Sequence, residues 1–271
     1  MKKSTKQGLR DLDAQMRAPS ALLLAMEGRA FLEWSACVAA WPLLTRAAQG
    51  DGHPVLVLPG LAAGDATTWP LRTFLEGRGY AVYPWELGFN CGPRDGVVRK
   101  LLARIRAIER EHGRKLSLVG WSLGGAMARA LAVREPSRVR NVVTLGSPLG
   151  GHPKATNAWR LFEYLSGVRA DDPRLRALMS RHPPVPSTSI LSKSDGIVSW
   201  PMSLIPRGER SENIEVSASH FGMGANPAVL WAVADRLAQP EGAWKAFDRS
   251  GWRALVYGDP QRDGGTGAFA T

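Results

Sequence analysis

Lys115-Leu116-Ser117-Leu118-Val119-Gly120-Trp121-Ser122-Leu123-Gly124-Gly125-Ala126-Met127-Ala128-Arg129 is the stretch that decides how this chain is read. It opens as a short apolar strand and closes as a small-residue helix. Between the two, Gly120-Trp121-Ser122-Leu123-Gly124 fits G-x-S-x-G. A serine on so tight a strand-to-helix turn is forced into a strained backbone, and its hydroxyl stands clear of the sheet at the helix N-terminus. Side chains at Gly120 and Gly124 would collide with the neighbouring strand and helix. Such a pentapeptide also arises by chance, so the strand before it and the helix after it give it its weight. The plain alternative is a strand-loop-helix turn with an idle serine.

Outward from this stretch the chain alternates strands and helices. Upstream, Pro54-Val55-Leu56-Val57-Leu58 holds no polar residue, as in a strand covered on both faces. The small-residue loop Pro59-Gly60-Leu61-Ala62-Ala63-Gly64 follows, then a helix from Thr67 or Thr68 to about Arg78, then the strand Tyr80-Ala81-Val82-Tyr83-Pro84. Residues 85 to 95 form a loop. Val97, Val98, Leu101, Leu102, Ile105 and Ile108 make one face of a helix that Gly113 stops. Downstream, Pro136 closes the helix after Ser122, and Val139 to Leu145 is a strand. The rhythm lapses from His152 to Pro186, where two short helices near Ala158–Leu165 and Pro173–Ser180 suit a cap over a site. Thr188 to Leu191 and Ile214 to Val216 resume the sheet, and Pro227 to Leu237 is a closing helix. This order implies a mainly parallel sheet with right-handed crossovers, whose sites form beyond the carboxyl ends of its strands.

Residues 1–50 read as a helical arm, started at Pro19-Ser20 and broken late by Pro42. Leu22, Leu23, Met26, Ala30, Phe31, Trp34 and Val38 fall near a 3.6-residue period. Such a stripe faces the domain core, an active-site groove or a lipid surface, and the first is the commonest use. Residues 51–257 form the main domain, with the cap insertion at 152–186. From Gly258 the composition reads as a frayed tail, 258–271.

The chain has 271 residues, 44% of them apolar and 22% charged, enough for one large α/β domain. Ten tryptophans are many for this length. The net charge is +11, but Lys and Arg are scattered, with no basic run and no nucleic-acid motif. That speaks against a nucleic-acid partner and leaves a weak lean toward anionic membrane surfaces. Cys37 and Cys91 follow no metal spacing and make no disulfide framework. No secretion signal is evident: Glu27 and Arg29 interrupt the apolar run from Ala21 to Met26, and Trp34 to Thr45 is too short to span a bilayer. The expectation is a cytoplasmic protein that needs no metal and no cofactor. Composition leaves the oligomeric state open.

A serine hydroxyl needs a base to take its proton, a carboxylate to orient the base, and donors for the oxyanion. Of five histidines, His53 precedes a strand and lies at the wrong end of the sheet, and His112 sits at a helix end. His152 and His182 flank the cap. His220 follows the last strand in Ser217-Ala218-Ser219-His220-Phe221-Gly222-Met223-Gly224, a loop of small residues that lets an imidazole reach back over the sheet. It is the expected base, with His152 its rival. Asp195, directly after a strand and between Ser122 and His220 in order, is the expected acid. Its plain alternative is an Asp-Gly turn residue. Asp171 and Asp172 suit a turn or helix cap, and Asp235 lies past the histidine on a helix. The backbone N–H groups of Leu123, at a helix N-terminus, and of Leu61 are the expected oxyanion donors. Trp121, Trp159, Phe162 and Phe221 are the expected substrate-contacting residues.

Over roughly residues 54 to 237 the chain resembles the α/β-hydrolases of the serine esterase and lipase type. Gly120-Trp121-Ser122-Leu123-Gly124-Gly125 matches the nucleophile elbow and Pro59-Gly60-Leu61 the oxyanion loop, with proline where lipases usually carry histidine. Asp195 and His220 match acid and base, and Leu145-Gly146-Ser147-Pro148 is similar to bacterial lipase-type sequences. The two N-terminal strands of the full fold are missing, so the resemblance implies a compact sheet of about six strands with helices on both faces. It implies a carboxylic-ester hydrolase acting through an acyl-enzyme on Ser122, on a small-molecule or lipid ester with an apolar acyl part. An acyltransferase would use the same residues, and a non-catalytic binding protein on this scaffold is the reading from another class. The motifs are shared by lipases, short-chain esterases, polyester hydrolases and amidases. The arm and the insertion together are expected to wall the acyl pocket.

Overall fold

The structure is a computed structural model that describes residues 16–94, 96–179 and 181–260. Its centre is a sheet of six strands: β1 Pro54–Leu58, β2 Ala81–Tyr83, β3 Leu116–Trp121, β4 Val139–Leu145, β5 Ser187–Leu191 and β6 Ser211–Glu215. The spatial order is β2-β1-β3-β4-β5-β6. Every neighbouring pair is parallel. The mainly parallel six-strand expectation is therefore met.

Strand alternation sorts the core into two layers. Val55 and Val57 of β1 and Val119 of β3 face one layer, formed by α3 (Trp69–Gly77) and α8 (Pro227–Leu237) through Leu71, Phe74, Val229 and Leu237. Leu56 and Leu58 of β1 and Leu116 and Leu118 of β3 face the other, formed by α4 (Val97–His112) and α5 (Leu123–Arg134) through Leu101, Ile105 and Leu131. All five residues of β1 are buried, which explains its unbroken apolar run. The strand order reverses between β1 and β3, so the crevice beyond their carboxyl ends is where a ligand site is expected.

Three boundaries differ from the sequence reading. β6 starts at Ser211, three residues early, because Glu212 and Asn213 are buried with partners: Glu212 takes Arg236 at 2.7 Å, and Asn213 Nδ2 donates to the Ile205 carbonyl. Apolar periodicity could not see them. Pro42 lies inside a helix that runs on to Leu44. Residues 258–260 are pinned, since Gly258 exchanges two backbone hydrogen bonds with Glu215 and Asp259 pairs with Arg207. The rest of the expected tail, 261–271, and the first 15 residues of the arm lie outside the described residues.

The arm has α1 (Ala21–Ala25), a 3-10 turn at Met26–Arg29 and α2 (Ala30–Leu44). Ser20 caps α1, its Oγ accepting the Leu23 N–H at 3.3 Å. Most of the expected apolar stripe faces away from the core, and Ala30 is its one buried member. Phe31 is 82% and Val38 76% exposed, and Leu22, Met26 and Trp34 are exposed too. The inward face is Glu27, Ala30, Cys37 and Leu44. The insertion carries α6 (Trp159–Ser166) and α7 (Pro173–Met179). Asp172 caps α7 by accepting the N–H groups of Arg174 and Leu175. Both cysteines are free thiols. Among the described residues no helix is long and apolar enough to cross a membrane.

Candidate active site

Ser122 sits between β3 and α5 with φ 55° and ψ −124°, a left-handed conformation that a side chain rarely adopts. The strain expected of the elbow is present. A Cβ on Gly120 would collide with the backbone of Gly124 and Gly125, and one on Gly124 with the carbonyls of Leu58 and Pro59. The turn closes this tightly only with glycine at both positions. The loop after β1 lies directly against the serine: a Cβ on Gly60 would stand 3.3 Å from Ser122 Cβ. Leu61 and Leu123, whose N–H groups were the expected oxyanion donors, both line the same cavity as Ser122.

The structure brings together the three side chains picked from sequence. His220 Nε2 lies 3.0 Å from Ser122 Oγ, and His220 Nδ1 lies 2.7 Å from Asp195 Oδ2. Asp195 Oδ1 accepts the N–H groups of Ile197 and Val198, both at 2.8 Å, so the carboxylate cannot rotate freely. The chain of contacts fixes the tautomer: with Asp195 accepting from Nδ1–H, Nε2 presents its lone pair to the serine. Burial pushes the His220 imidazolium down, but the Asp195 charge, the hydrogen bond to it and the Glu27 charge outweigh burial and hold the ring above its ordinary value.

A second Ser–His–Asp contact set lies at the opposite end of the sheet. His53 Nε2 is 2.7 Å from Ser117 Oγ, and Asp51 holds the other ring nitrogen. Here His53 and Ser117 are both fully buried and do not line the cavity that Ser122 faces. Burial and the Arg140 guanidinium, 3.1 Å from Nδ1, push the ring down to about 4 despite Asp51. The sequence argument that His53 lies at the wrong end holds, and this cluster is a buried polar tie between β1 and β3.

The other candidates are spent elsewhere. His152 Nδ1 accepts the Lys154 N–H, His112 Nε2 meets the Tyr83 hydroxyl at 2.7 Å, and His182 lies beside Arg129. Asp171 pairs with Arg169, and Asp235 with Arg236 and Arg253.

Ser122 opens into a cavity of about 350 Å³. Leu61, Leu123, Trp159, Phe162, Leu175 and Met179 give it an apolar wall. Trp159 and Phe162 line it from α6 of the insertion, whereas Trp121 and Phe221 do not. Strand alternation turns Trp121 to the layer opposite Leu118, where its Nε1–H donates to the His220 carbonyl at 3.0 Å. Phe221 stacks edge-on to the His220 ring at 6.0 Å and is half exposed. None of the described arm residues, 16–50, lines the cavity.

What the arm does instead escaped the sequence reading. Glu27 Oε1 accepts the N–H groups of Gly196 (2.7 Å) and His220 (2.9 Å), and Oε2 that of Phe221 (2.9 Å). Glu33 accepts the Ser219 N–H at 2.7 Å, and Arg29 donates to the carbonyls of Ser194 and Ala218. The signal was available: Glu27, Arg29 and Glu33 are the three charges in an otherwise uncharged segment from Ala18 to Thr45.

Comparisons with known proteins bear on the family and the fold. Residues 50–191 match the family described as alpha/beta hydrolase fold. A 2-hydroxymuconate semialdehyde hydrolase of Pseudomonas sp. (strain CF600) is 35% identical over 114 residues, 40% of this chain and 37% of that protein. A triacylglycerol lipase of Burkholderia plantarii is 32% identical over 139 residues, 48% of this chain and 38% of that protein. The chain therefore spans well under half the length of these relatives. Lipase B of Aspergillus fumigatus superposes with TM-score 0.54 at 18% identity, over 71% of this chain and 54% of that one. The mature Bacillus licheniformis lipase BlEst2 superposes with TM-score 0.54 at 16% identity, over 71% of this chain and 95% of that one. At such identities the superpositions speak for the fold alone. The family match covers just over half of the chain and contains both the loop after β1 and the strained serine, and the chain belongs to the alpha/beta hydrolase fold family.

Proposed function

We propose that this protein is a serine hydrolase that cleaves carboxylic esters through an acyl-enzyme on Ser122. The observation that carries the reading is the unbroken contact chain Ser122–His220–Asp195 beside an apolar cavity. His220 Nε2 takes the hydroxyl proton as Ser122 Oγ bonds to the carbonyl carbon. The carbonyl oxygen gains the electron pair and is met by the N–H groups of Leu61 and Leu123. Collapse of this intermediate breaks the bond to the alkoxy oxygen, which leaves as the alcohol with the proton from His220. Water then attacks the acyl-serine, again giving its proton to His220, and the acid departs as Ser122 is restored. The two partly matching relatives, a semialdehyde hydrolase and a triacylglycerol lipase, support hydrolysis. Turnover with and without an added alcohol, with product analysis, separates hydrolysis from acyl transfer.

The acyl part of the substrate belongs in the cavity under α6 and α7. Each buried methylene is worth about 0.8 kcal/mol. Leu175→Trp, which fills part of the apolar wall, is expected to cut kcat/KM for an eight-carbon acyl ester roughly tenfold or more, the worth of two methylenes. A two-carbon acyl ester should be turned over within about twofold of the wild type. Equal losses on both esters would remove the cavity as the acyl site.

The outward face of the arm supports work at an anionic lipid surface. From Ala18 to Thr45 every exposed residue is uncharged, Arg17 and Arg46 flank the stretch, and the chain carries a net charge of +11. Vesicles with one-third phosphatidylserine should co-sediment the protein and purely phosphatidylcholine vesicles much less. Phe31→Ser with Val38→Ser should abolish binding while sparing turnover of a soluble ester. Equal binding by the double variant, or a dimer that buries this face in solution, overturns the assignment.

A further inference from the structure

We propose that Glu27, on the arm outside the hydrolase core, is a positioning residue for the Ser122–His220–Asp195 relay. The inference rests on the catalytic reading above. The base and the acid come from different loops, after β6 and after β5, and no strand pairing sets the distance between those loops beyond the sheet edge. The Ser192 and Ser194 hydroxyls of the acid loop meet Ala218 of the base loop, and Glu27 bridges the two loops at Asp195 and His220 themselves. Glu27 is 4% exposed, and its two oxygens take the backbone N–H of the residue after Asp195, of His220 itself and of the residue after His220. The His220 loop is held from its other side by the Trp121 Nε1–H on the His220 carbonyl.

The chemistry of the site demands a carboxylate. Three converging N–H donors need acceptors at both ends of the side chain, and a carboxylate offers only acceptors. Glutamine would turn its own NH2 toward at least one N–H and leave it buried without a partner. The arm is also seated for this task. A Cβ on Gly196 would run into the Leu23 carbonyl and the Leu24 Cα, so glycine after the acid is what lets the arm lie on the loop. Arg29 and Glu33 complete the seat: Arg29 spans Ser194 of the acid loop and Ala218 of the base loop, and Glu33 holds Ser219 and Asn226.

Glu27 also acts on His220 electrically. The charged groups in contact with the base loop are Asp195 from the acid loop and Glu27, Arg29 and Glu33 from the arm; Trp121 at the end of β3 and Ser122 after it bring no charge. Arg29 and Glu33 pair at 3.5 Å and largely offset one another. Asp195 and Glu27 therefore remain as the net negative field that favours the imidazolium. The relay works with neutral His220, so turnover rises with pH through the histidine limb, and removal of the Glu27 charge moves that limb down.

The experiment compares wild type, Glu27→Gln and Ser122→Ala on a short soluble ester across pH 5–9. Glu27→Gln is expected to lower kcat at least tenfold with KM within about twofold, and to move the ascending limb of kcat/KM down by about half a unit or more. Glu27→Asp, which keeps the charge but falls one methylene short, is expected to lose kcat and keep the limb in place. A folded Glu27→Gln enzyme with wild-type kcat and an unmoved limb overturns the proposal. Should Glu27→Gln fail to fold, Gly196→Ala displaces the arm from the acid loop without touching the relay, and wild-type kcat in that variant overturns the proposal equally. If Ser122→Ala retains turnover, the catalytic reading itself has failed, which is a different result from an inert Glu27.

Discussion

Ser122→Ala is expected to remove ester turnover by about three or more powers of ten in kcat while the protein stays folded. The size follows from what is deleted. Ser122 Oγ is the one nucleophile in contact with His220 Nε2, at 3.0 Å, and it opens on the apolar cavity. Without it neither the new bond to the carbonyl carbon nor the proton transfer to His220 can occur. The fold should tolerate the change, because alanine suffers the same φ of 55° as serine and adds no volume to the elbow. The control is Ser117→Ala in the other Ser–His–Asp cluster. Ser117 Oγ is buried against His53 at 2.7 Å and away from the cavity, so its loss should cost stability by about 1 kcal/mol and leave kcat unchanged. Turnover by purified Ser122→Ala near the wild-type level, or abolition by Ser117→Ala, refutes the assignment. Stopped-ester assays and thermal melts on both variants decide it.

The two clusters show where sequence reasoning reaches and where it stops. At the level of pairwise distances they are alike. What separates them is the end of the strand on which each residue sits, and that is legible in sequence: His53 precedes β1, whereas Ser122, Asp195 and His220 each follow a strand. The parallel sheet was legible for the same reason, since buried parallel strands read as short apolar runs between helices. β6 was cut short because Glu212 and Asn213 hide their burial behind polar partners, Arg236 and Ile205. Trp121 packs in a core layer outside the cavity lining, and adjacency in sequence to Ser122 does not set which face of β3 a side chain takes. The arm failed more instructively. Period proposes which residues share a face, and Leu22, Met26, Phe31, Trp34 and Val38 all lie exposed. It does not tell which face the domain covers. Hydrophobicity normally settles that, but here Glu27, Arg29 and Glu33 join Ala30, Cys37 and Leu44 on the side toward the domain, and the backbone partners of the three charges on the loops around Asp195 and His220 are 165 to 194 residues away. Charges that look like interruptions of an apolar run are the contacts that seat the arm.

Asp195→Asn is expected to lower kcat by roughly 10³ to 10⁴ at neutral pH with KM little changed. The geometry dictates how the amide must sit. Asp195 Oδ1 accepts two backbone N–H groups, from Ile197 and Val198, so the asparagine carbonyl takes that place. Its NH2 then points at His220 Nδ1, 2.7 Å away in the wild type. A donor there favours the tautomer with a bare Nδ1 and a proton on Nε2. That Nε2–H faces Ser122 Oγ and cannot accept its proton, so the base is lost although no atom has moved. The negative charge that steadies the imidazolium is lost as well, and the fall in His220 pKa moves the histidine limb down in pH. KM is spared because Asp195 does not line the cavity. The fold is spared because the two backbone N–H groups keep an acceptor. Asp172→Asn is the comparison: Asp172 caps α7 through the N–H groups of Arg174 and Leu175, a task asparagine performs as well, so kcat should stay within about twofold. Steady-state kinetics of the two variants from pH 5 to 9 separate the readings. If Asp172→Asn is the crippled enzyme and Asp195→Asn turns over normally, the acid lies in the insertion and the relay drawn here is wrong.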